Sequence, residues 1–246
     1  MPSKKLGVSF LPKLSHVNQG LGSNMGGAIS NLKQFFLSHT MAMAFLCSLS
    51  AVTSSACKPP QVDMSTSPKN YEAHEYEEVW ERWTRRDKSY EDIIVNIQAS
   101  ATYWSHDFCY AYAAKYIKLF SIGKKGAKEF RSQLLEERTK HHEFMLAMVT
   151  QEPEWNDLGD KESIWRLALI NDREKEVEPI DIMRIKPITT THKTFFPQIE
   201  LFSSVYRIRF PRTKNKNPTI PPKTKYFLLK IAGPKGKISL KWEVKQ

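Results

Sequence analysis

Residues 90–122 read YEDIIVNIQASATYWSHDFCYAYAAKYIKLFSI, and the spacing of their apolar side chains sets the expected architecture. Ile93, Ile97, Ala101, Trp104, Phe108, Tyr112 and Leu119 recur at near-3.6 spacing, which predicts one long helix. Ile94 and Tyr116 widen the stripe, and Tyr103 and Tyr110 add apolar surface on another side, as expected for the central helix of a bundle. Gly123 and Gly126 supply a stop and a turn. Upstream, residues 71 to 88 are rich in Glu and Arg around Val79, Trp80 and Trp83, and predict a short amphipathic helix. Downstream, residues 127–149 predict a third helix, with Phe130, Leu134, Met145 and Val149 on one face. The pairs Glu136–Lys140 and Glu137–His141 support its outer face. Pro153 closes a helical subdomain expected over residues 71–152.

From Ser163 the pattern changes to period two. Trp165, Leu167 and Leu169 alternate with Arg166 and Ala168, and Asn171-Asp172 signals a turn. Residues 177–185 form a second candidate strand with Pro179 at its start or in a bulge. Tyr206, Ile208 and Phe210 alternate with Arg207 and Arg209. Residues 226–231 are an apolar run, and Gly233-Pro234-Lys235-Gly236 makes a hairpin turn. Ile238, Leu240, Trp242 and Val244 then point inward, while Lys237, Ser239, Lys241 and Glu243 point outward. Residues 163–246 are therefore expected to form an antiparallel β-sandwich-like subdomain. The whole chain reads as α+β, with helices first and strands later.

With 41% hydrophobic and 26% charged residues, the 246-residue chain holds enough apolar material for a core. Of its formal charge of +11, four units come from Lys4, Lys5, Lys13 and Lys33, which leaves +7 for the remainder. A basic surface of that size suits anionic partners. Residues 1–62 contain no Asp or Glu. An apolar centre at 41–52 follows Lys33, and the small residues Thr53, Ser54, Ser55 and Ala56 follow it. A basic start, an apolar middle and a small-residue end predict an export signal over residues 1–56, cleaved after Ala56. Cys57 comes next, and three prolines, two serines and a threonine in 58–70 read as a flexible tether over 57–70.

The Ala56–Cys57 junction resembles that of a bacterial lipoprotein signal, although Ser54 stands where such signals usually carry Leu. The resemblance covers the signal alone. It implies lipid on Cys57, membrane attachment through that lipid, and a location in the cell envelope facing the periplasm or the cell surface. In layout the chain is similar to uncharacterised envelope lipoproteins, which implies no particular activity.

Candidate chemistry is sparse. His141-His142-Glu143, with Glu137 a turn earlier, invites a metal reading, but consecutive helical residues point about 100° apart and no HExxH spacing exists. His106-Asp107 are likewise adjacent on the predicted helix and do not face each other. Cys109 reads as a small core residue, with a Cys57–Cys109 disulfide as the alternative if Cys57 carries no lipid. Arg207, Arg209, Arg212, Lys214 and Lys216 form a candidate anion-binding set for lipid or polysaccharide. No Gly-rich phosphate loop, GxSxG elbow, CxxC pair or EF-hand loop occurs. The expectation is a binding or structural role in the envelope, without cofactor, metal or catalytic residues, and with anionic lipid, polysaccharide or an envelope protein as partner. Export argues against nucleic acid. The alternatives are an enzyme whose site is assembled from scattered residues, and an unlipidated periplasmic or secreted module.

Overall fold

The computed structural model describes residues 59–246. The expected signal, Ala56 and Cys57 lie outside those residues. After a 3-10 turn at Ala73–Glu75, the elements in chain order are α1 (Tyr76–Trp83), β1 (Thr84–Glu91), β2 (Ile94–Tyr103), α2 (His106–Leu119) and α3 (Lys124–Lys140). They continue with β3 (His141–Thr150), β4 (Arg166–Asn171), β5 (Glu176–Val177), β6 (Asp181–Arg184) and α4 (Thr190–Phe195). The chain ends with β7 (Ser204–Pro211), β8 (Thr213–Lys214), β9 (Asn217–Pro218), β10 (Tyr226–Gly233) and β11 (Gly236–Glu243). The class is α+β with antiparallel sheets: one in the order β1-β2-β3-β7-β6, one in the order β11-β10-β4-β5, and the small β8-β9 ribbon.

The expected three-helix subdomain is not what forms. Residues 84–103, expected to be helical, make the hairpin β1–β2, turning at Asp92 with φ of 54°. Ile97, Ala99, Ala101 and Tyr103 alternate along β2 and are all buried. The helical reading fails because a four-residue spacing keeps side chains on one face in a strand as well as in a helix. The β-branched residues between Ile94 and Thr102 favour the strand. Only the second half of the stripe is helical. Ser105 caps α2 by accepting the Phe108 N–H at 3.0 Å.

A second change of state falls inside the expected third helix. α3 ends at Lys140 and β3 begins at His141 without an intervening Gly or Pro. β3 then pairs with β2 on one side and β7 on the other. The proposed boundary between a helical 71–152 and a β-rich 163–246 therefore does not separate two sheets. Strands from both parts share the five-stranded sheet, and Lys58–Gln246 cluster as one unit.

The two larger sheets face each other. From the first, Tyr103, Phe144 and Phe210 point inward; from the second, Phe227, Leu229 and Trp242 meet them. Tyr103 lies 5.2 Å from Phe227 and Phe144 lies 5.4 Å from Trp242, ring centre to ring centre. β11 also runs beside β1. Ser239 N–H donates to Asp87 Oδ2 (2.7 Å), and Trp242 Nε1 donates to the Trp83 carbonyl (2.9 Å). The predicted inward residues of β11 are all buried. The single strand expected at 177–185 is instead two short strands. β5 pairs with β4 and β6 pairs with β7, so the chain crosses between sheets near Pro179.

The expected tether is also corrected over its described part. Val62 is fully buried and forms a parallel bridge to Val244, donating to the Glu243 carbonyl (2.8 Å) and accepting from Lys245 N–H (2.9 Å). Apolar Val62 finds a site at the end of β11. Arg85 fixes the neighbouring backbone by donating to the Pro60 carbonyl at 2.7 Å. The same guanidinium donates to the carbonyls of Lys241 (2.8 Å), Arg82 (2.9 Å) and Thr84 (2.8 Å). Burial pushes its pKa down to about 10, so it remains charged at neutral pH.

Candidate functional site

Two regions concentrate polar side chains on or beneath the outer face of the five-stranded sheet, the face turned away from the second sheet. The first is buried. Glu143, near the start of β3, accepts from Arg209 Nε at 2.7 Å and lies 3.6 Å from Arg138 Nη1. Burial alone would raise the Glu143 carboxyl, but Arg138 and Arg209 outweigh it and hold it below its usual range. His141 Nε2 sits 3.2 Å from Glu143 and 3.8 Å from Glu137. Strand geometry explains this grouping: residues i and i+2 share a face, so His141 and Glu143 point together and His142 points the other way. His142 Nδ1 lies 2.8 Å from the Tyr103 hydroxyl in the core. Burial, with the Arg212 charge nearby, holds His142 well below its ordinary pKa. Burial also lowers His141 and His106, helped by Arg209 and Arg212 respectively.

Of the residues singled out in the sequence, the structure thus brings together Glu137, His141, Glu143 and Arg209. Cys109 is buried and free, and burial pushes its thiol up to about 12, with Arg138 and Glu143 close enough to act on it. Asp107 faces away from His106. It accepts from Tyr71 (2.5 Å) and Trp83 Nε1 (2.8 Å) and pairs with Lys69 at 2.9 Å. Among the described residues, no group of three or more His, Cys, Asp or Glu side chains is arranged to hold a metal.

The candidate anion-binding residues do not share one surface role. Arg209 is engaged by Glu143, and Arg207 lies 3.6 Å from Asp181. Arg212 follows β7 with its Nε buried and unpartnered, whereas Lys214 and Lys216 are exposed around the β8–β9 turn.

The second region is open. A cleft of about 390 Å³ lies across β1, β2 and β3 on the outer face, beside the 198–203 segment. Pairing places Arg86, Ser100 and Ala147 in one row, and Lys88, Gln98 and Val149 in the next. Its walls are fixed. Arg86 makes a two-point contact with Glu81 (2.6 and 2.8 Å) and stacks over Trp80. Gln198 accepts from Trp80 Nε1 (2.9 Å) and donates to Thr102 Oγ1 (2.9 Å). Within the cleft, Ser100 Oγ is buried and has no hydrogen-bond partner. Sequence reasoning missed Ser100 and Gln98 because it placed both on a helix. It missed Gln198 because that segment lacked a pattern.

No family model matches the chain, and no curated protein matches it. The crystal structure of a novel protein of unknown function from Burkholderia pseudomallei K96243 is similar at 11% identity. The match covers 73% of this chain and 94% of that one, with a TM-score of 0.38. Among the described residues, no helix is long and apolar enough to cross a membrane.

Proposed function

We propose that this chain is an exported protein of the bacterial envelope, held at a membrane by lipid on Cys57, and that its folded part binds a ligand rather than transforming one. The observation that carries this reading is the order of residues at 33–57: Lys33, the apolar 41–52, small residues to Ala56, then Cys57. The binding role draws support from the open cleft, whose walls are held by Glu81, Trp80 and Thr102 before any ligand arrives. The groups with shifted pKa values beneath the same sheet support stability instead. His142, Glu143 and Cys109 are each at most 5% exposed, with His142 held by the Tyr103 hydroxyl and Glu143 by Arg209.

The test is Cys57→Ala in a bacterial host. Palmitate labelling should disappear, the protein should leave the membrane fraction, and mass spectrometry of the parent should place lipid on residue 57. A parent that stays unprocessed in the membrane indicates an uncleaved anchor. A cleaved, unlabelled parent indicates a soluble periplasmic or secreted module. Either result overturns the lipid claim.

A further inference from the structure

We infer that the cleft across β1, β2 and β3 is a binding site for a neutral, hydroxyl-rich ligand, a short saccharide. The inference rests on the binding role proposed above and is independent of the lipid.

Three features select this class. The first is an unmet hydrogen-bonding demand. Ser100 is only 9% exposed, its Oγ has no partner, and strand alternation points it into the cleft. Buried hydroxyls without a partner are uncommon, and a ligand group at this point would satisfy it. Gln98, one row along, makes no side-chain hydrogen bond among the described residues, so a whole carboxamide is free beside it. Carboxamides and hydroxyls both donate and accept, as sugar hydroxyls do.

The second feature is charge balance. Arg86 is neutralised by Glu81. Asp87 is turned toward Ser239 on the other side of the sheet. That leaves Lys88, seated over Tyr90, and the exposed Glu200 as one charge of each sign at the margins. An anionic ligand would gain from Lys88 and lose at Glu200, and a cationic one would do the reverse. A neutral ligand meets neither penalty.

The third feature is shape. The floor between the polar groups is Ala147 and Val149, which leaves a shallow open trough. The volume falls in the range of small-ligand sites. The segment that closes one side carries Gln198, Glu200 and Ser203 into the lining.

The experiment uses the full chain in a sugar-free detergent. Maltotriose, cellotriose and N,N′,N″-triacetylchitotriose are tested by saturation-transfer NMR and calorimetry against trigalacturonate and trialanine. At least one neutral trisaccharide should bind with Kd below about 10 mM. Ser100→Ala and Gln98→Leu should each weaken it by roughly tenfold while the unfolding midpoint does not fall. Ser100→Ala deletes only the unpartnered hydroxyl, so folding is not at risk. The inference is overturned if no neutral trisaccharide binds, if both variants bind as the parent does, or if trigalacturonate or trialanine binds better. Those results leave the Cys57→Ala outcome untouched, so failure of the ligand class and failure of the lipid claim are distinguishable.

Discussion

Replacing Asp107 with Asn should cost this protein a large part of its stability. The carboxylate is 2% exposed in the first turn of α2 and receives Tyr71, Trp83 and Lys69, with Arg82 Nη1 at 3.4 Å. It therefore joins the N-terminal segment, α1 and α2. An asparagine keeps the shape but presents one acceptor oxygen and an N–H2 group to a ring of donors. Removing one partner from a buried charge pair costs about 3–5 kcal/mol, and Lys69 and Arg82 would keep only their more exposed partners Asp63 and Glu78. For a chain of this size that is a drop in melting temperature of roughly 6–20 °C. The pH dependence supplies a second check. Burial would raise the Asp107 carboxyl, but the Tyr71, Trp83 and Lys69 contacts outweigh it and leave it below its usual range. A carboxylate lowered in the folded state stabilises fully above its unfolded pKa of about 3.9 and loses that contribution as pH falls through the folded value. The gap between parent and Asp107→Asn should thus be constant from pH 5 to 7 and narrow progressively as the pH falls below about 4. Calorimetric melts at several pH values measure both effects. A variant melting within about 2 °C of the parent at pH 7, or a gap that does not narrow as the pH is lowered below about 4, would refute the reasoning.

Three further outcomes are expected. Arg85→Met should release the Pro60 backbone and cost about 2–4 kcal/mol, because four carbonyls lose a charged donor. Limited proteolysis should then cut near residues 59–62 before the rest of the chain. Gly233→Ala should destabilise by about 1–3 kcal/mol in urea titration, since a Cβ there would lie 2.4 Å from the Ile164 carbonyl oxygen and 2.8 Å from the Trp165 ring. Cys109 should resist iodoacetamide at pH 8 in the folded protein and react on unfolding in urea, read by peptide mass mapping. A thiol pushed up to about 12 and buried is both protonated and inaccessible.

The strands that were legible in the sequence have one wet and one dry face. β11 alternates Ile238, Leu240 and Trp242 with Lys237, Ser239 and Lys241, and β7 alternates Tyr206, Ile208 and Phe210 with two arginines. Two of the misread strands, β2 and β3, are dry on both sides over most of their length. His141–Thr150 is buried at nine of its ten positions, so FMLAMV shows no period to separate strand from helix. The same double burial hides the candidate cleft: Ser100 and Ala147 are small residues and give no periodic signal. α1 was legible because Val79, Trp80 and Trp83 are buried among exposed Glu and Arg. The 59–71 segment was not, because its prolines and serines suggest a coil while the contacts that fix it come from Arg85, Asp107 and β11.

That segment also defines how a pull on the N-terminal side of the chain would enter the fold. The load would first meet the two backbone hydrogen bonds of Val62 and the Arg85 grip on Pro60. Only after these gave way would it reach the second hold, where Lys69 and Tyr71 grasp Asp107. The N-terminal segment is thus a two-stage mechanical fuse. Its first stage can yield while the sheets, and the cleft across β1–β3, keep their shape.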